Sequence, residues 1–342
     1  MYKRLQKLET KNSVSTTAVR RFVGALILIC MCAHSFGEMS FDYPNKPITV
    51  IIPFPPAGST DVLGRILAQF IGKSLNQTVL VENTGGAGGT IGAAKVARAP
   101  ADGYTLLFHN MAHASAPALY AKLSYDPAAD FEPVGYVNAV PMILVAKKGF
   151  AFDDIKAVIG YAKSNPGKIN FANAGIGSTS HLCDVLLQYT TGANWLDIPY
   201  KGTGPALNDL LGGQVDMICD QPASTLGHIK SGNFKPIAVA TSTRLKILPD
   251  VPTFAESGLP GFELSVWHAI YAPKGTPRAV VDKLSAALRV ALKDPQLVQK
   301  YNEMSAIIAT QEQATPEYLK GFLKSDVERW RLAMKAAGVQ PE

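Results

Sequence analysis

Residues 48–71 read ITVIIPFPPAGSTDVLGRILAQFI, and this stretch decides the fold. Its first seven residues, 48–54, are a continuous apolar run rich in β-branched side chains. That pattern suits a strand covered on both faces. Val62, Leu63, Ile66, Leu67, Phe70 and Ile71 then recur at spacings of one, three and four, which makes one stripe of an amphipathic helix. Ser59, Thr60 and Asp61 supply N-cap chemistry at its start.

Outward from there the alternation continues, with a strand at 78–82, a helix at 88–98 and a strand at 105–110. Such a βαβαβ series specifies a parallel sheet with helices on its faces. A second series begins after Ala146. Asp153 caps a helix that ends at Asn165-Pro166-Gly167, followed by a strand (169–174), a helix (178–191) and a strand (195–200). The next helix has Pro205 in its first turn and ends at Gly212-Gly213. A strand (215–219), a helix (223–231) and a strand (236–241) complete the series. The remainder reads as a strand at 262–272 and three helices, with Thr276-Pro277 and Thr315-Pro316 each pairing a capping threonine with an N1 proline.

The last helix carries Tyr318, Leu319, Phe322, Leu323, Val327, Trp330 and Met334 on one face and needs a sheet to pack on. The first series has an uncovered face, so the C-terminal helices are assigned to it. The expected architecture is α/β and two-lobed, each lobe a doubly wound sheet with helices on both faces. Lobe one is built from 43–140 and 241–342, and lobe two from 141–240. The chain then crosses twice, near 136–146 and near 236–244, as in the hinge of a clamshell receptor.

Residues 1–37 read as a secretory leader and not as part of the fold. Lys3, Arg4, Lys7, Lys11, Arg20 and Arg21 precede an apolar run at 22–32, and small residues follow at Ala33, Ser35 and Gly37. The run is about eleven residues, short of the ~20 that span a bilayer. Cleavage after Gly37 is expected, with sites near Ala33 or Ser35 as alternatives. Ile29 and Met31 before Cys30 and Cys32 argue against a lipid anchor. Export to the periplasm follows.

The formal net charge of +6 resides mostly in that leader, which holds six basic residues and one acidic one. A nearly neutral remainder lacks the basic footprint of a nucleic-acid binder. Of the four cysteines, Cys183 and Cys219 lie outside the leader. Two separate buried thiols are the plainer expectation, although export permits a disulfide.

Three loops join the C-terminal end of a strand to the start of a helix, where ligands bind in open α/β sheets. They are Pro55 to Asp61, Ala174 to His181, and Tyr200 to Pro205. Glycines let the backbone approach a ligand, and helix starts present unpaired N–H groups to an anion. The loops contain a single cation, Lys201, so neutral donors and waters are expected to carry recognition of a carboxylate.

Catalytic, cofactor and metal readings find no support. Thr84 to Gly92 is glycine-rich, but G-x-G-x-x-G would need glycine at Ile91, and no Walker lysine follows. No G-x-S-x-G elbow occurs. Ser178 and His181 lie three apart on one helix, where the histidine is expected to contact backbone or water. His109, His113 and His268 lack metal-ligand spacing.

Taken in order, the stretches 43–61 (YPNKPITVIIPFPPAGSTD), 85–93 (GGAGGTIGA), 101–107 (ADGYTLL), 177–182 (GSTSHL), 199–216 (PYKGTGPALNDLLGGQVD) and 272–277 (APKGTP) resemble the Bug family. These are the periplasmic substrate-binding receptors of tripartite tricarboxylate transporters. The resemblance implies a class II periplasmic-binding-protein fold, a small carboxylate ligand and delivery to membrane permease subunits. A ligand-sensing partner of a membrane sensor kinase is the alternative. It also implies that Ala57, Gly58, Ser59, Thr60 and Asp61, with Gly177, Ser178 and Thr179, grip a carboxylate, partly through waters. Asn110, Met111, Ala112 and Asp220 fall on further ligand positions, and Tyr200 heads the third loop. Two departures stand out: Ala57-Gly58 replaces the family's usual Gly-Gly, and Trp267-His268-Ala269 stands where Trp-x-Gly is common.

Overall fold

The quoted stretch folds as it reads in the structure, a computed structural model that describes residues 42–341. The expected leader lies outside those residues. Strand β1 (Ile48–Ile52) buries Ile48, Val50, Ile51 and Ile52, and helix α1 (Ser59–Leu75) buries Leu63, Leu67, Phe70 and Ile71. Strands β2 (Val79–Asn83) and β3 (Thr105–Asn110) flank β1 in parallel, separated in sequence by α2 (Thr90–Ala97). A further helix, α3 (Ala112–Leu119), follows β3.

The chain then runs through β4 (Phe131–Pro141) into β5 (Ile143–Lys147), with Met142 alone between them. From β5 come α4 (Ile155–Ser164), β6 (Asn170–Asn173), α5 (Thr179–Thr191), β7 (Leu196–Pro199) and α6 (Thr203–Leu211). Next are β8 (Met217–Asp220), α7 (Pro222–Lys230) and β9 (Phe234–Val239). The return is β10 (Ser265–Pro273), α8 (Arg278–Ala291), α9 (Pro295–Asn302), β11 (Ile307–Ile308) and α10 (Pro316–Ala336).

Two sheets result, ordered β11-β4-β10-β3-β1-β2 and β7-β6-β8-β5-β9. Both are mixed. The first βαβαβ series reads as a parallel sheet, which β1, β2 and β3 form, and the later strands make each sheet mixed for a geometric reason. β4 continues into β5 with no helix to reverse it, so β5 runs against β8 and β9. In the first sheet β10 runs against β3 and β4.

The crossings are tied to one another. Met142 N–H donates to Leu264 O (3.0 Å), Ala240 N–H to Met142 O (2.9 Å) and Leu264 N–H to Ala240 O (3.0 Å). The return crossing therefore falls at Leu264. Residues 241–264, expected in lobe one, instead place Leu245, Leu248 and Val251 in one core with Ile143, Ala172, Leu207 and Ile218. The C-terminal helices pack on the first sheet as expected, with Leu319, Leu323, Trp330 and Met334 of α10 buried.

Smaller corrections concern caps and cysteines. Asp154, one residue after the expected Asp153, caps α4. Thr315 caps α10, but Thr276 turns its hydroxyl to Pro273 O (2.8 Å) and Pro277 sits at the N-cap of α8. Cys183 and Cys219 form a disulfide instead of two separate thiols. α5 lies against β8, and both cysteines point into that contact with no exposure. Among the described residues no helix is long and apolar enough to cross a membrane.

Candidate functional site

Helix α1 starts with Gly58 as its N-cap and has no side-chain cap. Ser59, Thr60 and Asp61 occupy its first turn. Asp61 reaches backward, accepting Ala57 N–H (2.9 Å), Arg65 Nε–H (2.9 Å) and Asn83 Nδ2–H (2.8 Å). Burial alone would raise this carboxyl, yet those hydrogen bonds and the Arg65 charge hold it below the usual carboxylate range. Asp61 thus secures the loop. The tie matters because Ala57 sits at φ +66°, a region that disfavours residues with a Cβ by about 1–2 kcal/mol.

Asp61→Asn is expected to lower stability by about 2 kcal/mol at pH 7, since it weakens charge-assisted hydrogen bonds. A depressed carboxyl stabilises above its unfolded value of about 4 and loses that contribution as pH falls through its folded value. The gap between variant and wild type should therefore close in acid. Urea unfolding at pH 7 and pH 3 checks this, and a gap that persists in acid would assign the loss to packing.

Thr60 is held from behind. Its Oγ1 accepts Asn110 Nδ2–H at 2.9 Å and lies 3.2 Å from His268 Nε2, while His268 Nδ1 lies 2.8 Å from Asn138 Oδ1. Burial drops the His268 pKa to about 3, so the ring is neutral. The Asn138 carbonyl oxygen accepts only, which puts the ring proton on Nδ1 and makes Nε2 the acceptor of Thr60 O–H. The Thr60 hydroxyl donor is committed within the lobe, and its donor toward the cleft is the backbone N–H. His268, the residue at the second departure noted above, supports this helix start.

In the second lobe Ser178 is the N-cap of α5, accepting His181 N–H (3.3 Å), and its Oγ lies 3.1 Å from Ser180 Oγ. Ser180 Oγ accepts Ala174 N–H at 2.8 Å. His181 Nδ1 accepts Gly177 N–H (3.3 Å), a backbone contact and not a base on Ser178. α6 and α7 start at Gly202 and Gln221, neither with a side-chain cap.

Four helix starts, those of α1, α5, α6 and α7, converge on one cavity, and three of them lack side-chain caps. Their first amides have no intrahelical partner and carry the positive end of the helix dipole. Of the predicted site residues, Gly58, Ser59, Thr60, Asn110, Ser178, Thr179 and Asp220 line this cavity. Ala57, Asp61 and Gly177 shape its loops from outside the lining. Met111 and Ala112 lie buried at the start of α3, with Ala112 N–H held by Asn110 Oδ1 (3.0 Å). Tyr200 lines an adjoining chamber and donates its hydroxyl to Asp209 (2.6 Å).

Thr203, within the predicted Tyr200-to-Pro205 loop, and Gln221 also line the cavity, and sequence reasoning missed Gln221. Proline at N1, Pro222 directly after Gln221, was the available signal for a helix start beside Asp220. Among the described residues no lysine or arginine lines the cavity; Lys201 borders the adjoining chamber. Burial pushes the Asp220 carboxyl up to about 6, while Gln221 N–H and the Thr203 and Ser224 hydroxyls pull it partly back.

The lobes lie closed. Tyr120 O–H donates to Ile176 O (2.8 Å) and Ser59 O–H to Ser224 Oγ (3.0 Å), each across the cleft. The enclosed space is about 20 Å³, room for about one water. The adjoining chamber, between the 83–89 loop, Tyr120 and the 174–176 and 199–202 loops, measures about 740 Å³. The glycine-rich 84–92 segment is a tight turn: a Cβ at Gly92 would lie 2.6 Å from Thr84 O and 2.8 Å from Pro53 Cα.

Two mixed α/β lobes, joined by paired crossings and opposing their helix starts across a narrow cleft, define a periplasmic binding protein of the clamshell type. The chain belongs to the tripartite tricarboxylate transporter receptor family, whose model matches residues 63–339. It is 40% identical over 303 residues to the protein BugT of Bordetella pertussis, covering 87% of this chain and 91% of that one. The structure of the periplasmic binding protein BugD superposes with a TM-score of 0.85 at 46% identity, over 88% of this chain and all (100%) of that one. MatC from Rhodopseudomonas palustris with bound malate gives a TM-score of 0.82 at 37% identity, covering 85% of this chain and 99% of that one.

Proposed function

We propose that this protein is a periplasmic receptor that closes its two lobes on a small carboxylate and delivers it to membrane permease subunits. The carrying observation is the convergence of four helix starts, three without side-chain caps, on one cavity with no cation in its lining. Such a site solvates a single anionic group through backbone amides and hydroxyls. The malate held by the related MatC supports the ligand class. The buried Cys183–Cys219 disulfide supports an oxidising compartment.

Thermal unfolding of residues 38–342 against panels of carboxylates, amino acids and sugars tests the reading, after a denature–refold step that strips co-purified ligand. A ligand at 100 times its dissociation constant adds about 2.7 kcal/mol. That raises the midpoint by several degrees. Shifts confined to carboxylates are expected; shifts only with sugars or amines would overturn the anion assignment.

Ser178→Ala and Thr60→Ala are each expected to raise Kd about three- to thirtyfold, as loss of one hydrogen bond to or behind a charged ligand group does. Calorimetric titration reads this. Unchanged affinity in both would show that backbone amides alone hold the ligand at these two helix starts.

A further inference from the structure

The cavity that receives an anion already holds a carboxyl group. Asp220 ends β8, is 2% exposed and lines the cavity. Its Oδ1 accepts Gln221 N–H (2.8 Å), while Oδ2 is buried without a hydrogen-bond partner of good geometry. Two carboxylates in one dry site cannot both stay ionised, because like charges and desolvation both favour the neutral acid.

We propose that Asp220 takes up a proton from solvent as the ligand carboxylate enters, and donates the resulting O–H from Oδ2 to it. The proposal rests on the carboxylate-receptor reading above. The only bond made is the Asp220 O–H, and one proton enters the complex with each ligand. Asp220 thereby becomes a donor in a ring of donors, which explains how an acidic residue fits an anion site without a cation.

Among the described residues no other titratable side chain lines the cavity. On α1, Asp61 is turned to Ala57, Arg65 and Asn83. His268 and His109, behind Thr60 and Asn110, are held neutral by burial. On α5, His181 faces Gly177 N–H, and Asp184 faces Trp195 and Gln188. Burial raises the Asp184 carboxyl, which lies beside Asp197 of β7. On β5, Ile143 stands opposite Asp220, and on α7 the His228 ring packs on Phe234. Lys201 borders the adjoining chamber.

With a free-state value of about 6, affinity is level in acid and falls up to tenfold per pH unit above it. The sign follows from protonation: the bound form carries the proton, so raising pH opposes binding. Titration calorimetry uses malate, succinate, glutarate and adipate as probes, in buffers of differing ionisation enthalpy. At pH 7 uptake of about 0.9 proton is expected, with Kd about fifteenfold higher at pH 7.5 than at pH 6. Asp220→Asn, which carries a fixed N–H donor, should show no Asp220-linked uptake, a flat profile, and about thirtyfold tighter binding than wild type at pH 7.5. The thermal midpoint of the variant reports that it folds.

A wild type that binds a probe without proton uptake overturns the proposal and leaves the receptor reading standing. So does an Asp220→Asn variant that keeps the wild-type slope, since a group other than Asp220 would then carry the proton. Abolished binding in a folded Asp220→Asn would assign Asp220 as an ionised acceptor and also overturn it. Binding of no probe at either pH would remove the receptor reading itself.

Discussion

Replacing Cys183 and Cys219 together by alanine is expected to lower stability by about 4 kcal/mol and the unfolding midpoint by about 8 °C. The disulfide closes a loop with a sequence separation of 36 residues. Chain-entropy arithmetic for that length gives most of the loss. The bond also pins α5 to β8, and so fixes Ser178 and Thr179 relative to Asp220, which adjoins Cys219. Ligand affinity should therefore fall as well, although no cysteine lines the cavity. Scanning calorimetry of variant and wild type, each with and without the carboxylate found by thermal screening, separates the two effects. An unchanged midpoint would mean that packing alone holds α5 on β8. A lower midpoint with unchanged affinity would show that the site does not depend on this link.

The sequence announced some of this and concealed the rest for definable reasons. Strand β1 was legible from its continuous β-branched run, Ile48–Ile52, and helix α1 from the periodic Val62-to-Ile71 stripe. Strand direction has no such signature. The β4–β5 passage reads as apolar residues either way, and the direction of β5 in the second sheet follows a passage with a single connecting residue, Met142. Helix α3 went unseen because AHASAPAL intersperses small residues with His113 and Ser115, shows no apolar stripe and has Pro117 inside it. The disulfide joins residues far apart in sequence, and no local pattern encodes that contact.

The site divides in the same way. Gly58, Ser59, Thr60, Ser178 and Thr179 were visible as hydroxyls and glycine at strand-to-helix junctions. Thr203 sits at the third such junction, and Gln221 went unread because no glycine or hydroxyl marks it ahead of Pro222. Asp61 has the right position and the wrong direction, since the Arg65 one turn later and the Asn83 on β2 draw its carboxylate away. What a side chain faces depends on partners that spacing along the chain does not reveal.

Closure itself can be tested at Gly202, where substitution by alanine is expected to raise Kd about a hundredfold. Gly202 faces Pro55 across the cleft, and a Cβ there would lie 2.5 Å from Pro55 Cγ. The rigid proline ring cannot swing aside as a flexible side chain would, so the lobes must separate. Affinity then falls by the fraction of molecules still able to close, and a hundredfold loss corresponds to about 2.7 kcal/mol against the closed state. Gly202 also sits at φ +113°, so backbone strain must be told apart from the clash. Gly213→Ala provides that control, because Gly213 has φ +72° and nothing within 4 Å of an added Cβ. It should lose stability and keep affinity. Gly204→Ala, on the same helix as the Gly202 cap and equally open, should change neither. Small-angle scattering should show wild type contracting on carboxylate addition and Gly202→Ala remaining expanded. Wild-type affinity in Gly202→Ala would mean that the ligand is held without the Pro55–Gly202 approach, and that the closed form is not the binding form.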